Sequence, residues 1–493
     1  MEKTTASEGL SRGERWLVRA FHLGKAALLA ALYAAVGWVV ARAVFSERWS
    51  WVAAGTALGT LLVLLYLFPL AALLGWQIIS PYAPFFGLDI HLGAGVPDLS
   101  LDRLAIASLV ALVLGRAVLG RQRLAPFTRT DAVILVFCLA YAVAGSISYL
   151  GPVQAYQALF DAVYTPILVY FVAKNLVRTR RDLDLVIGAL AVIATYLAVL
   201  TIREQITGEV LFQPMGRSTR YTEHIRRVAS LLGNPVFIDI ILSMALPLFL
   251  VRVLQTVSLW KKAVGVLLAG VWGLAVYMTF VRAGWAGLLL SLLTLAVLWP
   301  RFRKPFLAVL VLGGLLLALN WAEVTSSYVY TERLTFTKSI DYRAEGMNLA
   351  WRVFMRYPLV GVGFANFGTI AAKEFGWQPE RWVPPSPHNS YLYIAVSGGL
   401  LALIPYLLMF LSILWDGWTL YWRGRRDASV DRPMLAAFLA AVVGYLAPIA
   451  TLEIEASKFT NMLFYLIVGG VLGMYLWQGE VGAVRRIREG RGP

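Results

Sequence analysis

Residues 281–321 read VRAGWAGLLLSLLTLAVLWPRFRKPFLAVLVLGGLLLALNW: two long apolar runs, a five-residue basic break PRFRK at 300–304, and one arginine, Arg282, at the leading edge. Each run is long enough to cross roughly 30 Å of hydrocarbon as a helix. The break is too short for anything but a turn. Two antiparallel membrane helices with their connecting turn in a basic compartment are therefore predicted here, and the same grammar repeats through the chain.

The composition agrees with that reading. Of 493 residues 59% are hydrophobic, 15% charged and 13% aromatic, far from the balance of a soluble domain. Apolar spans are read at about 24–46, 51–75, 102–119, 131–150, 157–176, 183–203, 229–251, 263–281, 284–299, 305–322, 389–415, 435–452 and 460–477. The fold class expected is all-α, a single polytopic membrane domain over 1–493 with about 12–13 transmembrane helices. Trp260, Trp299, Trp321, Tyr406 and Trp477 are expected in interfacial belts.

Lys and Arg outnumber Asp and Glu by 44 to 28. The excess falls in alternate loops, 120–129, 174–182, 259–262, 300–304, 421–427 and 485–491, as the positive-inside rule requires, so no nucleic-acid partner is implied. These loops are assigned to the cytoplasm, and 77–101, 204–228, 323–388 and 453–459 to the opposite face. Two hydrophobic segments precede residue 77 where a cytoplasmic N-terminus needs an odd number of crossings; an even total of about twelve, with both ends inside, is the preferred count. The basic N-terminal stretch shows no cleavable signal. Cys138 is the single cysteine and lies in an apolar run, which excludes an intramolecular disulfide.

The large external loop 323–388 contains an amphipathic stretch, RAEGMNLAWRVFMRYP, predicted to be a helix with Met347, Ala350, Trp351 and Phe354 on one face, followed by the glycine-punctuated LVGVGFANF. Charges at span ends are ordinary, but Arg282 stands at an outer end where basic residues are disfavoured. A snorkelling arginine on lipid headgroups is the simpler explanation of it. Arg343 opens the amphipathic helix and His388 closes the loop in PPSPHNSYLYIAVSGG (384–399). Capping and interfacial roles are the ordinary ones for His388 and its neighbours Asn389 and Ser390. Topology puts Arg282, Arg343 and His388 on one membrane face, so they are free to converge.

FVRAGW (280–285), YRAEGMNLAWRVFMRYPLVGVGFANF (342–367) and PHNSYLYIAVSGGLLALIPYLL (387–408), preceded by RRVASLLGNPVFIDIILSMALPL (226–248), resemble the successive signatures of the O-antigen ligase and polymerase superfamily over about 220–415. Val281 stands where that family usually has serine or threonine before the arginine. The resemblance implies a GT-C-like membrane glycosyltransferase of the bacterial inner membrane, metal-independent and inverting, without a cofactor, its site facing the periplasm. Its donor would be a glycan on undecaprenyl pyrophosphate. Its acceptor would be a second glycan, either lipid A core (ligase) or a lipid-linked repeat unit (polymerase). Carried over to this chain, His388 is the expected catalytic base, and Arg282, Arg343 and, more softly, Arg227 beside Arg226 are the expected pyrophosphate ligands.

Those residue types suit that chemistry. Guanidinium forks bind phosphate oxygens with paired hydrogen bonds, and an imidazole with an ordinary pKa near 6.5 can take a proton from a sugar hydroxyl at neutral pH. Asn389, Glu453 and Glu455 are candidates for contacting the acceptor or supporting the histidine, with capping or a Lys458 salt bridge as the plainer role for the glutamates. Asp182 and Asp184 form an Asp-x-Asp pair on the basic side and read as a solvated helix start. His22, His91 and His224 show no metal-ligand spacing. The short tail after the last span argues against the branch that ligates glycans to protein. A transporter or flippase for lipid-linked sugars is the rival from another class, although such proteins usually carry internal repeats and midplane charges, neither of which is seen here.

Overall fold

The computed structural model describes residues 59, 60, 63, 65–86, 100–212, 228, 230–327, 330, 338–377, 386–427, 430–453 and 457–488. The chain divides into two compact units, Met1–Phe68 and Pro69–Pro493, and the helices described below belong to the second. Among the described residues there is no strand. In order the helices are α1 (Pro69–Ile79), α2 (Leu101–Val118), α3 (Arg129–Ser146), α4 (Pro152–Leu159), α5 (Thr165–Leu176), α6 (Arg180–Thr207), α7 (Pro235–Gln255), α8 (Leu259–Met278), α9 (Arg282–Leu298), α10 (Pro300–Leu319), α11 (Trp321–Ser326), α12 (Lys338–Arg356), α13 (Phe367–Phe375), α14 (Ser390–Arg423), α15 (Arg432–Ile449) and α16 (Lys458–Arg488).

Nine helical segments among the described residues are long and apolar enough to cross a membrane, and α9 is a shorter apolar helix of 17 residues. The protein is a multi-pass membrane protein. One crossing is built from α4 and α5 joined through a π-helical turn, Phe160–Tyr164. The expected spans at 24–46 and most of 51–75 lie outside the described residues.

Helix starts follow side-chain chemistry. Thr128 with Asp131, and Thr179 with Asp182, form capping boxes that satisfy the first backbone donors of α3 and α6. Asn234 caps α7 with Pro235 in its first turn, and Asp431 caps α15. Asp182 of the Asp-x-Asp pair is thus the third helical residue that completes the capping box of Thr179, and Asp184 pairs with Arg252 at 2.7 Å.

Antiparallel order is fixed by contacts at both ends. At the basic end Lys174 pairs with Asp131 while also donating to the Pro126 carbonyl at 2.8 Å, and Arg252 reaches Asp431 at 3.2 Å. At the other end Asp102 receives Trp76 Nε1 at 2.7 Å and Ser80 Oγ at 2.9 Å and pairs with Lys458. Lys458 therefore turns to Asp102, because Asp102 is the carboxylate that α2 brings to the start of α16.

The centre consists of α7, α15 and α16. The apolar window of α16 is 94% buried and that of α10 only 11%, so α10 is a peripheral helix turned toward lipid. Small residues allow the close approaches. A Cβ at Gly469 would sit 2.4 Å from the Tyr170 carbonyl oxygen, and one at Gly473 would sit 2.5 Å from that of Lys174, so this Gly-x-x-x-Gly face lets α16 lie directly on the α5 backbone. Trp260 and Trp321 are exposed, as expected of a belt, whereas Trp299, Tyr406 and Trp477 are buried. Trp477 donates to the Lys174 carbonyl at 3.2 Å, an anchor that the packing of α16 supplies.

Candidate functional site

The site is assembled on a broken helix. At Gly399 (φ 61°, ψ −161°) α14 leaves helical geometry, which strands carbonyls on one side of the break and N–H groups on the other. The segment 358–363 fills the gap as a backbone splint. Val362 N–H donates to the Val396 carbonyl at 2.8 Å and Gly363 N–H to that of Ser397 at 2.9 Å; Leu400 and Leu401 donate to the Pro358 and Leu359 carbonyls at 2.7 and 3.0 Å. Only glycine fits at Gly361 (φ 72°), where a Cβ would meet the Val396 carbonyl oxygen at 2.4 Å. The same segment is tied to α3: Phe364 N–H donates to the Ala144 carbonyl at 2.8 Å, and Asn366 Nδ2 to that of Ile147 at 2.9 Å.

Upon this splint lies α12, with Leu349, Ala350, Val353 and Phe354 buried against Val362, Phe367, Ile370, Ala395 and Val396. The predicted amphipathic helix exists, but its buried face is rotated from the expected one: Trp351 is 52% exposed, and Leu349 and Val353 take the inner positions. The splint dictates this orientation, since the residues pointing at α13 and α14 are those that bury.

His388 is held one residue before the Asn389 cap of α14 by a compact polar knot. Asn389 Oδ1 accepts from Leu392 N–H at 3.0 Å, and Ser390 Oγ donates to the Leu452 carbonyl at 2.7 Å. Glu453 Oε1 accepts from Ser386 Oγ at 2.5 Å and from the His388 N–H at 3.3 Å. Burial pushes the Glu453 carboxyl above its ordinary value, and these two donors oppose the shift. His388 has φ +46°, a left-handed conformation uncommon for non-glycine residues, among which histidine, asparagine and aspartate are the enriched ones. The Tyr342 ring lies 5.9 Å from its imidazole, and Gly346 packs so closely that a Cβ there would sit 2.6 Å from the Ser386 carbonyl oxygen.

Tyr342 and Arg343 are successive residues of α12, so the helix that covers His388 also carries the loop arginine. Burial, and secondarily the positive charge of Arg282, lower the Arg343 guanidinium from its usual value, which means the two guanidinium groups lie within electrostatic reach of each other. Arg282 begins α9 directly after Phe280, itself left-handed at φ 53°. The first turn of α9 is pressed against α7: a Cβ at Gly284 would fall 1.9 Å from Asp239 Oδ2, and Thr279 Oγ1 donates to that same oxygen at 2.9 Å.

The structure thus brings Arg282, Arg343, His388, Asn389 and Glu453 to one end of the bundle. Arg227, Arg226, Glu455, His22, His91 and His224 lie outside the described residues. Sequence reasoning missed Tyr342, Ser386 and Asp239. Asp239 was findable, since a carboxylate inside an apolar span is a marker of a special site, and it is fully buried. Ser386 and Tyr342 gave no signal, because their partners are 67 and 46 residues away in sequence. Among the described residues no three His, Cys, Asp or Glu side chains group as metal ligands.

Residues 264–407 match the family model described as O-antigen ligase, a stretch that includes Arg282, Arg343, His388 and the splinted break. The match supports the O-antigen ligase superfamily and, with it, glycan transfer of ligase or polymerase type at a membrane. No curated protein matches the chain.

Proposed function

We propose, from the match to the O-antigen ligase family model, that this protein transfers a glycan from undecaprenyl pyrophosphate to an acceptor glycan, lipid A core, by metal-independent inverting displacement. The hydroxyl oxygen of the acceptor attacks the anomeric carbon of the donor sugar. As that bond forms, the bond to the pyrophosphate oxygen breaks and its electron pair leaves with the phosphate. His388 accepts the hydroxyl proton, and Arg282 and Arg343 bind the charge gathering on the leaving group, with Arg227 as a third ligand. Glu453 and Ser386 fix the backbone from which the imidazole projects, and Asn389 fixes the first turn behind it.

The observation that supports the reading is that Arg282 and Arg343 lie within electrostatic reach of each other, on α9 and on the helix α12 whose Tyr342 ring lies 5.9 Å from the His388 ring. Crowding like charges at the end of an apolar bundle is electrostatically unfavourable, and a dianionic pyrophosphate recovers that energy. The basic loops sit at the opposite end of α9 and α14, which supports a site facing the periplasm of an inner-membrane protein. A polymerase reading shares all donor chemistry and differs only in acceptor. A flippase would use the arginines to grip the same headgroup without needing a base.

The test incubates purified protein with a pyrophosphate-linked glycan and two acceptors, lipid A core and a second lipid-linked unit. Ligase activity gives one addition to the core, whereas polymerase activity lengthens the lipid-linked product. His388→Ala is expected to abolish transfer while retaining donor binding. Normal transfer by that variant excludes His388 as a required base, whereas no transfer by the wild-type protein to either acceptor favours the flippase.

A further inference from the structure

At the end of the bundle opposite His388, a cleft of about 910 Å³ opens between the α9–α10 turn and the α14–α15 connection. Its described lining contains Arg180, Arg301, Arg303, Arg425 and Arg432 against one carboxylate, Asp431. That carboxylate is committed elsewhere, to the cap of α15 through Met434 N–H at 3.2 Å and to Arg252 at 3.2 Å. We propose that this cleft binds a phosphate group at headgroup depth, supplied by an anionic phospholipid.

Three features distinguish it from a run of solvated basic residues. It is concave. Its arginines are organised rather than scattered: the Arg432 guanidinium stacks on the Tyr421 ring at 4.6 Å, and Tyr421 is itself pinned by its hydroxyl to the Leu298 carbonyl at 2.6 Å. Third, Arg432 Nε is buried and makes no hydrogen bond within the described structure, a donor that a phosphate oxygen would satisfy. Arg301 and Arg425, both exposed, supply flanking forks, and Val297 and Pro300, also exposed, give an apolar wall along which an acyl chain can lie. The assignment does not rest on the chemistry proposed for His388.

The experiment reconstitutes the full chain in phosphatidylcholine nanodiscs, titrates phosphatidylglycerol, and counts retained lipid by native mass spectrometry. Arg301→Gln with Arg425→Gln is compared with Arg423→Gln plus Arg426→Gln, which removes equal charge from the same loop region outside the cleft lining. The wild-type chain is expected to retain phosphatidylglycerol over phosphatidylcholine, the cleft pair to weaken retention about tenfold, and the control pair to change it by less than about twofold. Arg432→Gln tests the buried donor and is expected to weaken retention similarly. Inorganic pyrophosphate serves as the soluble probe. Failure to displace the lipid assigns the site to a headgroup with its chains, and full displacement assigns it to the phosphate alone. Equal losses in both pairs, or no preference for phosphatidylglycerol together with no pyrophosphate binding, overturn the proposal.

Discussion

Gly361→Ala is the most direct probe of how the broken helix holds the site. At φ 72° an alanine costs about 1–2 kcal/mol in backbone strain alone. Its methyl would lie 2.4 Å from the Val396 carbonyl oxygen and 2.7 Å from the amide nitrogens of Gly398 and Gly399, all backbone atoms that cannot rotate away. The splint must back off, and losing two to four of its hydrogen bonds at about 1 kcal/mol each brings the local total to about 3–6 kcal/mol. Hydrogen–deuterium exchange reads this at the amides of Val362, Gly363, Leu400 and Leu401, which now donate at 2.7–3.0 Å. Their exchange should accelerate by about a hundredfold or more, since each 1.4 kcal/mol of opening energy is tenfold. Transfer activity should fall in parallel, because α12 rides on the splint. Exchange at these amides within about threefold of wild type, in a variant confirmed by mass, would refute the reasoning.

Glu453→Ala removes the acceptor for two donors and should cost about 1–3 kcal/mol together with most activity, whereas Glu453→Gln keeps an acceptor oxygen and should restore the melting temperature. Because burial raises the Glu453 pKa in the fold, the stability held by its neutral form is fully present below the ordinary value of 4.5 and is lost as pH rises through the raised value; melting curves of Glu453→Gln should lose that dependence. Arg343→Lys keeps the charge but not the fork, and steady-state kinetics should show a donor KM raised about tenfold with transfer still measurable. Gly284→Ala, whose methyl would strike Asp239, should separate α9 from α7, lower the melting temperature and depress transfer through the displaced start of α9 at Arg282.

Much of the bundle was legible because hydrophobic length and loop charge are local properties: the spans at 131–150, 183–203 and 435–452 fall on α3, α6 and α15. Helix caps such as Asn389 were equally local. What escaped was whatever depends on contact between distant segments. The glycines at 361, 363, 398 and 399 are visible as punctuation, yet nothing in one segment says that it mends the other. The face of α12 was misjudged for the same reason, since Trp351 outranks Leu349 in apolar bulk but points away from the splint. Lys458 could be matched to a neighbouring glutamate by proximity along the chain, whereas its partner Asp102 is distant in sequence and reaches it only through the antiparallel packing of the bundle.

The left-handed backbone at residue 388 bears on how this protein can be studied while inactive. Histidine is among the few side chains that tolerate this backbone, and glycine adopts it with no Cβ at all. With His388 as the base proposed above, His388→Gly is expected to keep this backbone while losing transfer, a form suited to trapping donor and acceptor side by side for cryo-electron microscopy.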